Sequence, residues 1–236
     1  MATTKFTPAS AATKYAITGC TVADGDALAA NNIPAFWANP HWRLDWRHRT
    51  LEYHVIQVAK RFPRRLLTSR ETKRHQKAVD PDTGRVVGYA RWILPPDYAF
   101  AWPEAVVPAV SADDETFFNR IASTSHWDPD NRSDPLIVPI RKAENDILSR
   151  RTYIQLDYVA VHPDNQGKGI GTELVASGIR EAEKIGLDIY VCAFQPGVGV
   201  YKRLGFHIER EIIQDDTIYG GPGEDYRCFM TYKVAR

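Results

Sequence analysis

The chain has 236 residues, enough for one well-buried α/β core, and no repeat or linker demands a second domain. Its 44% hydrophobic and 25% charged content fits a water-soluble globular protein, and a net charge of +1 gives no global pull toward nucleic acid or membrane. No apolar run approaches the roughly 18 residues of a bilayer span, and three widely spaced cysteines, Cys20, Cys192 and Cys228, point to a reducing compartment and to no metal site.

Residues 1–14 lack the apolar core of a secretory signal; their Ala, Ser and Thr content without acids resembles a transit peptide but lacks arginine, so they read as a flexible tail, and with no targeting signal in Lys233–Arg236 the cytoplasm is the default location. The domain then runs over 15–236. Residues 15–22 predict a first strand, and Asp24 or Asp26 caps a short helix toward Trp37. Phe36, Trp37, Trp42 and Trp46 either pack together or line an acceptor pocket; Trp37 and Trp42 are the substrate-binding candidates. Apolar residues at helical spacing run from His48 to Arg74, and Pro63 predicts an end or kink followed by a second helical stretch. From Arg43 to Lys77 stand eleven Lys or Arg against three acids. That stretch reads as a nucleic-acid face, an anionic-substrate site, or a charge neutralised within the fold by an acidic segment further on.

His75–Val79 and Val86–Leu94 flank Pro81-Asp82-Thr83-Gly84 and predict an antiparallel hairpin. Residues 95–150 hold seven prolines and ten acids against five bases with no sustained period. Such a length is improbable as a bare loop, so it reads as an insertion with short helices covering the substrate side, or as a partly mobile lid. Tyr153–Val161 predicts a strand, Thr172–Ile185 an amphipathic helix and Ile189–Ala193 a further strand. Ile208–Ile213 and Tyr226–Val234, around a Gly220-Gly221-Pro222-Gly223 turn, predict a closing hairpin.

Between the strand at 153–161 and the helix at 172 lies Gln166-Gly167-Lys168-Gly169-Ile170-Gly171. Strand, glycine turn and helix start together form an anion site, because glycines let the backbone approach a ligand and the first N–H groups of the helix face it. The helix start lacks the Gly-Lys-Ser/Thr of a nucleoside-triphosphate loop. Its glycine spacing also fits a dinucleotide fingerprint poorly.

The hexapeptide resembles Gln/Arg-x-x-Gly-x-Gly, the acyl-CoA pyrophosphate loop of the GNAT superfamily of N-acetyltransferases. Val200-Tyr201-Lys202-Arg203-Leu204-Gly205-Phe206 is similar to that family's second motif, Tyr-x-x-x-Gly-Phe, and follows the appropriate helix and strand. The resemblance is tight over roughly residues 150–210. It implies an α/β (α+β) fold, a single domain with a mixed, mostly antiparallel central sheet whose strands splay open between flanking helices.

The implied activity is acetyl transfer from acetyl-CoA to a primary amine of a small molecule, by direct attack in a ternary complex. The alternatives are a protein or peptide acetyltransferase and a non-catalytic acyl-CoA-binding module. By resemblance, Gln166, Gly167, Lys168, Gly169, Ile170, Gly171 and Thr172 hold the pyrophosphate. Val159, Ala160 and Val161 pair with the pantetheine arm, with the Val159 N–H as oxyanion donor, and Gly197 lets the arm pass a helix start. Tyr201 takes the place of the general acid and also contacts the cofactor. The usual catalytic glutamate is replaced by Gln155, so Asp157, on the same strand face, is the candidate base or amine anchor; failing it, a water chain or His162 must take the proton. No nucleic acid or membrane partner is implied, no metal, and a monomer or homodimer.

Overall fold

The computed structural model describes residues 14–235; apart from Lys14, the segment read as a tail lies outside them. Seven strands form one sheet in the order β1-β2-β3-β4-β5-β7-β6: β1 Ala16–Gly19, β2 Lys73–Val79, β3 Val86–Ile93, β4 Ile154–Val161, β5 Ile189–Phe194, β6 His207–Asp215 and β7 Glu224–Tyr232. All neighbours are antiparallel except β4 and β5.

Because strand side chains alternate between faces, the sheet sorts its core into two layers. On one face α5 (Ile170–Ile185) lays Ile170, Leu174, Val175 and Ile179 against Ala90, Trp92, Ile154 and Leu156. On the other, α1 (Gly25–Trp37) and α2 (Leu51–Leu67) cover Tyr89 and the half-buried Tyr158. The segment 95–150 is built around α3 (Ala112–Ser123) and α4 (Ile137–Leu148). α3 packs on α2, and α4 sets Ile140, Ala143 and Ile147 on Tyr153, Tyr190 and Phe229, on the same face as α2. α6 (Gln195–Arg203) follows β5 directly. Among the described residues no helix is long and apolar enough to cross a membrane.

Two local expectations are corrected. Pro63 neither ends nor divides its helix: α2 runs through it to Leu67. Only the N–H bond to the preceding turn is lost, and the ring packs where Gly25 of α1 leaves room, since a Cβ there would stand 3.0 Å from Pro63 Cδ. No second helix follows, because Lys73 already begins β2, pairing with Ile93.

The fully buried Arg74 of β2 pins the start of the long segment without any carboxylate. Its guanidinium donates to five carbonyl oxygens, among them Ala99 at 2.6 Å and Ala101 at 2.6 Å, which substitute for the lost hydration. Trp92, also fully buried, donates to Gln76 Oε1 at 3.1 Å, and Gln76 donates to Ser177 Oγ at 2.8 Å. Its indole lies flat against Gly178 of α5, where an added Cβ would overlap the ring. Gly178→Ala is therefore expected to destabilise the fold by about 1–3 kcal/mol despite alanine's better helix propensity. Urea unfolding should show a lower midpoint at unchanged slope.

Candidate active site

β4 and β5 stay in register for three pairs, Ile154↔Ile189, Gln155↔Tyr190 and Leu156↔Val191, and then part. At the same level β4 carries a bulge against β3: Arg91 faces Tyr158 and Trp92 faces Leu156, which leaves Asp157 as the extra residue. A bulge bends and over-twists its strand, so the two strands diverge into a cleft of about 540 Å³.

The cleft brings together most of the residues singled out in the sequence. Asp157, Val159, Ala160 and Val161 line it from β4, Gln166, Gly167, Gly169, Ile170, Gly171 and Thr172 from the loop and helix start, and Gly197 and Tyr201 from α6. Lys168 is not part of its wall; its ammonium donates to Asn165 Oδ1 at 2.9 Å. Gly167 (φ 75°) and Gly169 (φ 86°) adopt left-handed backbone that glycine alone takes without strain. Among the described residues, the N–H groups from Gly167 to Thr172 have no backbone carbonyl partner, which leaves a row of donors at the α5 N-terminus. The Gln166 amide donates to Val161 O at 3.1 Å, and Asn31 of α1 braces the strand end, donating to Ala160 O and accepting from His162 N, both at 3.2 Å. An extended molecule with an anionic end fits this trough: donors at one end, an unpaired strand edge along its side.

The same cleft holds groups able to do chemistry. Burial pushes the Tyr201 phenol well above its ordinary pKa, with the neighbouring Cys192 adding to the effect, so it holds its proton. Cys192 also lines the cleft rather than being fully buried, and burial raises its thiol to about 12, leaving it a neutral, unreactive group. Asp157 is ion-paired with Arg91 through Oδ2. Gln155 opens instead on a separate hollow of about 530 Å³ with Tyr153, Arg151 and Pro95. Glu144 of α4, which sequence reasoning passed over, is half-buried near Tyr190 and within electrostatic reach of Asp157, and burial raises its pKa. Arg203, inside the second motif, lines the cleft as well.

Trp37 and Trp42 do not line the cleft. With Trp46 and Trp127 they surround His54 of α2, at ring-centroid distances of 6.0, 5.8, 4.1 and 5.7 Å respectively. Phe36 carries this cluster to the cleft, 5.7 Å from Trp42 and 4.6 Å from Tyr158. The acidic segment neutralises part of the basic stretch, through Arg49 with Asp128 and Arg47 with Asp130.

A family model described as the acetyltransferase (GNAT) family matches residues 41–206. Among solved structures the chain is similar to a histone acetyltransferase HPA2 and related acetyltransferase from Corynebacterium glutamicum, with 18% identity and a TM-score of 0.58 over 94% of this chain and 98% of that one. It is also similar to yncA, a putative acetyltransferase from Salmonella typhimurium with its cofactor acetyl-CoA, at 18% identity and a TM-score of 0.48 over 94% and 95%. The PaiA N-acetyltransferase from Thermoplasma acidophilum, in complex with coenzyme A, matches at 12% identity and a TM-score of 0.48 over 93% and 99%. At 18% identity the first of these likenesses is one of fold.

His54 has a measurable consequence. It is 1% exposed with an unpartnered Nε2, and burial, aided by Arg49, pushes its pKa from 6.5 down to about 4. The folded state thus holds it neutral. As pH falls below 6.5 the unfolded chain takes up a proton that the folded chain refuses until about 4, so stability drops through that window by up to about 1.4 kcal/mol per pH unit. His54→Phe, which keeps the aromatic packing, should flatten this acid-side loss in urea unfolding midpoints, while the equally buried His75 retains its own share.

Proposed function

This chain belongs to the GNAT family of acetyltransferases, whose reaction is acetyl-CoA-dependent acyl transfer, and on that premise we propose that it acetylates a primary amine of a small molecule by direct attack in a ternary complex. The observation that carries the reading is the single cleft, in which the glycine loop, the unpaired edge of β4, Asp157 and Tyr201 meet.

Bound acetyl-CoA supplies an acyl group activated as a thioester. The free N–H groups from Gly167 to Thr172 and the α5 N-terminus hold its pyrophosphate, with Arg203 adding charge from α6. Lys168, tied to Asn165, acts at most as a nearby charge. The backbone of Val159, Ala160 and Val161 pairs with the pantetheine arm along the gap that β5 leaves, and Gly197 keeps the opposite wall low. The Val159 N–H stabilises the negative charge that develops on the acyl oxygen. Asp157 anchors the incoming ammonium and takes its proton through the carboxylate oxygen that Arg91 does not hold. As the carbon–sulfur bond breaks, Tyr201 gives its phenolic proton to the departing sulfur. The burial that keeps this phenol protonated suits that role.

The bound on acceptor size comes from the segment 95–150. α3 packs on α2, and α4, on the β5–β7 side, brings Glu144 within electrostatic reach of Asp157. Helices on both flanks favour a small molecule over an extended peptide.

Thiol release from acetyl-CoA across amines, polyamines, amino acids and peptides tests the reading. Tyr201→Phe and Asp157→Asn are each expected to lower kcat by roughly 10² or more with the best acceptor, while calorimetric CoA binding persists. Full turnover in both variants, or tight CoA binding with no release to any acceptor, would refute these roles.

A further inference from the structure

Beside Asp157, on the acceptor face, cations gather without enough anions to balance them. Arg91 of β3 lies directly opposite His75 of β2, and Lys73 stands two residues along β2 on the same face. Arg65, from the last turn of α2, completes the group. Among the described residues the ion pairs of β2 and β3 are Lys77 with Asp24 and Arg91 with Asp157, so Lys73 has no carboxylate of its own. Arg65 also lacks an ion pair there and rests only near the Phe62 ring, 6.0 Å away. The charges around Lys73 are Arg91, Asp157, Arg65 and the exposed Glu71. Burial and then Arg91 lower its pKa, against the weaker pull of Asp157.

His75, opposite Arg91 on the same face as Lys73, sits among the same cations. It is 1% exposed, accepts or donates at Nδ1 with the Tyr89 hydroxyl at 2.8 Å, and leaves Nε2 unpartnered. Burial first, and then Arg91, Lys73, Arg65 and Arg74, push its pKa down to about 3. The charges that act most strongly on it are all cations.

A half-buried cation crowded by like charges is unfavourable unless something offsets it. Arg74 is offset by carbonyls, and Arg47 and Arg49 by aspartates. Lys73 and Arg65, which lie outside the cleft wall but within electrostatic reach of one another and, for Lys73, of Asp157, are left without such partners.

We propose that Lys73, Arg65 and the outer edge of Arg91 form the recognition site for a carboxylate on the acceptor, making the substrate class an aminocarboxylate whose amine meets Asp157 and whose carboxylate faces Lys73. Phe36 and Tyr158, 4.6 Å apart at the cleft wall, border the remaining side. The inference rests on the acetyl-transfer reading for its turnover assay, but not for its binding assay.

The experiment pairs several L-amino acids with their carboxamides as acceptors, at saturating acetyl-CoA, for the wild type, Lys73→Met and Arg65→Met. Because the amide also has the more acidic ammonium, the informative quantity is the change in the carboxylate-to-amide ratio of kcat/KM. That ratio should fall about 10-fold or more in Lys73→Met and by a smaller factor in Arg65→Met, through KM rather than kcat. CoA binding by calorimetry should be unchanged and shows that both variants are folded. In parallel, calorimetry of the same amino acids with CoA-loaded protein should show binding that weakens with added salt and is lost in Lys73→Met. An unchanged ratio in both variants, or amino acids and amides that bind alike, would overturn the proposal. Failure of all turnover together with Lys73-dependent amino-acid binding would instead refute the acetyl-transfer reading and leave the carboxylate site standing.

Discussion

The site depends on one constraint: β4 can remain paired to β3 throughout its length only by leaving β5 after Leu156. The bulge at Asp157 supplies the extra twist. On one side of β4 the ladder to β3 continues to Val161; on the other, polar backbone groups face an opening. Such groups cannot stay dry and unpaired, so the opening suits an elongated polar ligand. The same bulge fixes the carboxylate, since Asp157 and Tyr158 together oppose Arg91, and the ion pair to Arg91 holds Asp157 at the mouth of the gap.

The two helices beside the gap extend this geometry. α5 is capped by Gly169 in left-handed backbone, and its first N–H groups are left unpaired at the cleft. α6 starts straight from β5 and carries Tyr201 into the cleft wall. The cleft therefore offers fixed dipoles for an anion together with a protonated phenol and a carboxylate. Between them the walls are largely apolar, from Ile170, Val175, Val191 and Ala193, which strengthens any electrostatic contact made inside.

Cations on the sheet are handled in two ways. Arg74 is fully buried yet saturated by carbonyl oxygens, and its job is to hold the 99–101 backbone against β2. Lys73, its neighbour in sequence, points to the opposite face with no such partner. Adjacent strand residues thus separate into a structural cation and one left free for recognition. Asp216 does comparable bracing at the far rim: fully buried, it pairs with His41 at 2.6 Å and accepts from Gly223 N at 2.8 Å, tying the α1–α2 connection to the β6–β7 turn.

What the amino-acid order determined by itself is local in origin. The glycine loop at 166–171, the hairpin around Pro81-Asp82-Thr83-Gly84, the helix read from Thr172 and the Tyr201 motif are each written within a few consecutive residues, where backbone conformational preference and apolar periodicity act directly. Helix α2 shows the limit of that grammar: Pro63 signals a break, but packing against Gly25, distant in sequence, carries the helix onward. The same distance hid the rest. Nothing near Asp157 announces Arg91, 66 residues earlier. The tryptophans at 37 and 42 look like a pocket lining until His54 and Trp127 are seen to complete their cluster. Only the tertiary structure decided which basic residues are neutralised by the acidic segment and which are left beside the cleft, because charge pairing depends on which elements share a face, and that is set by sheet order and by the two-residue alternation of strands that meet only after folding.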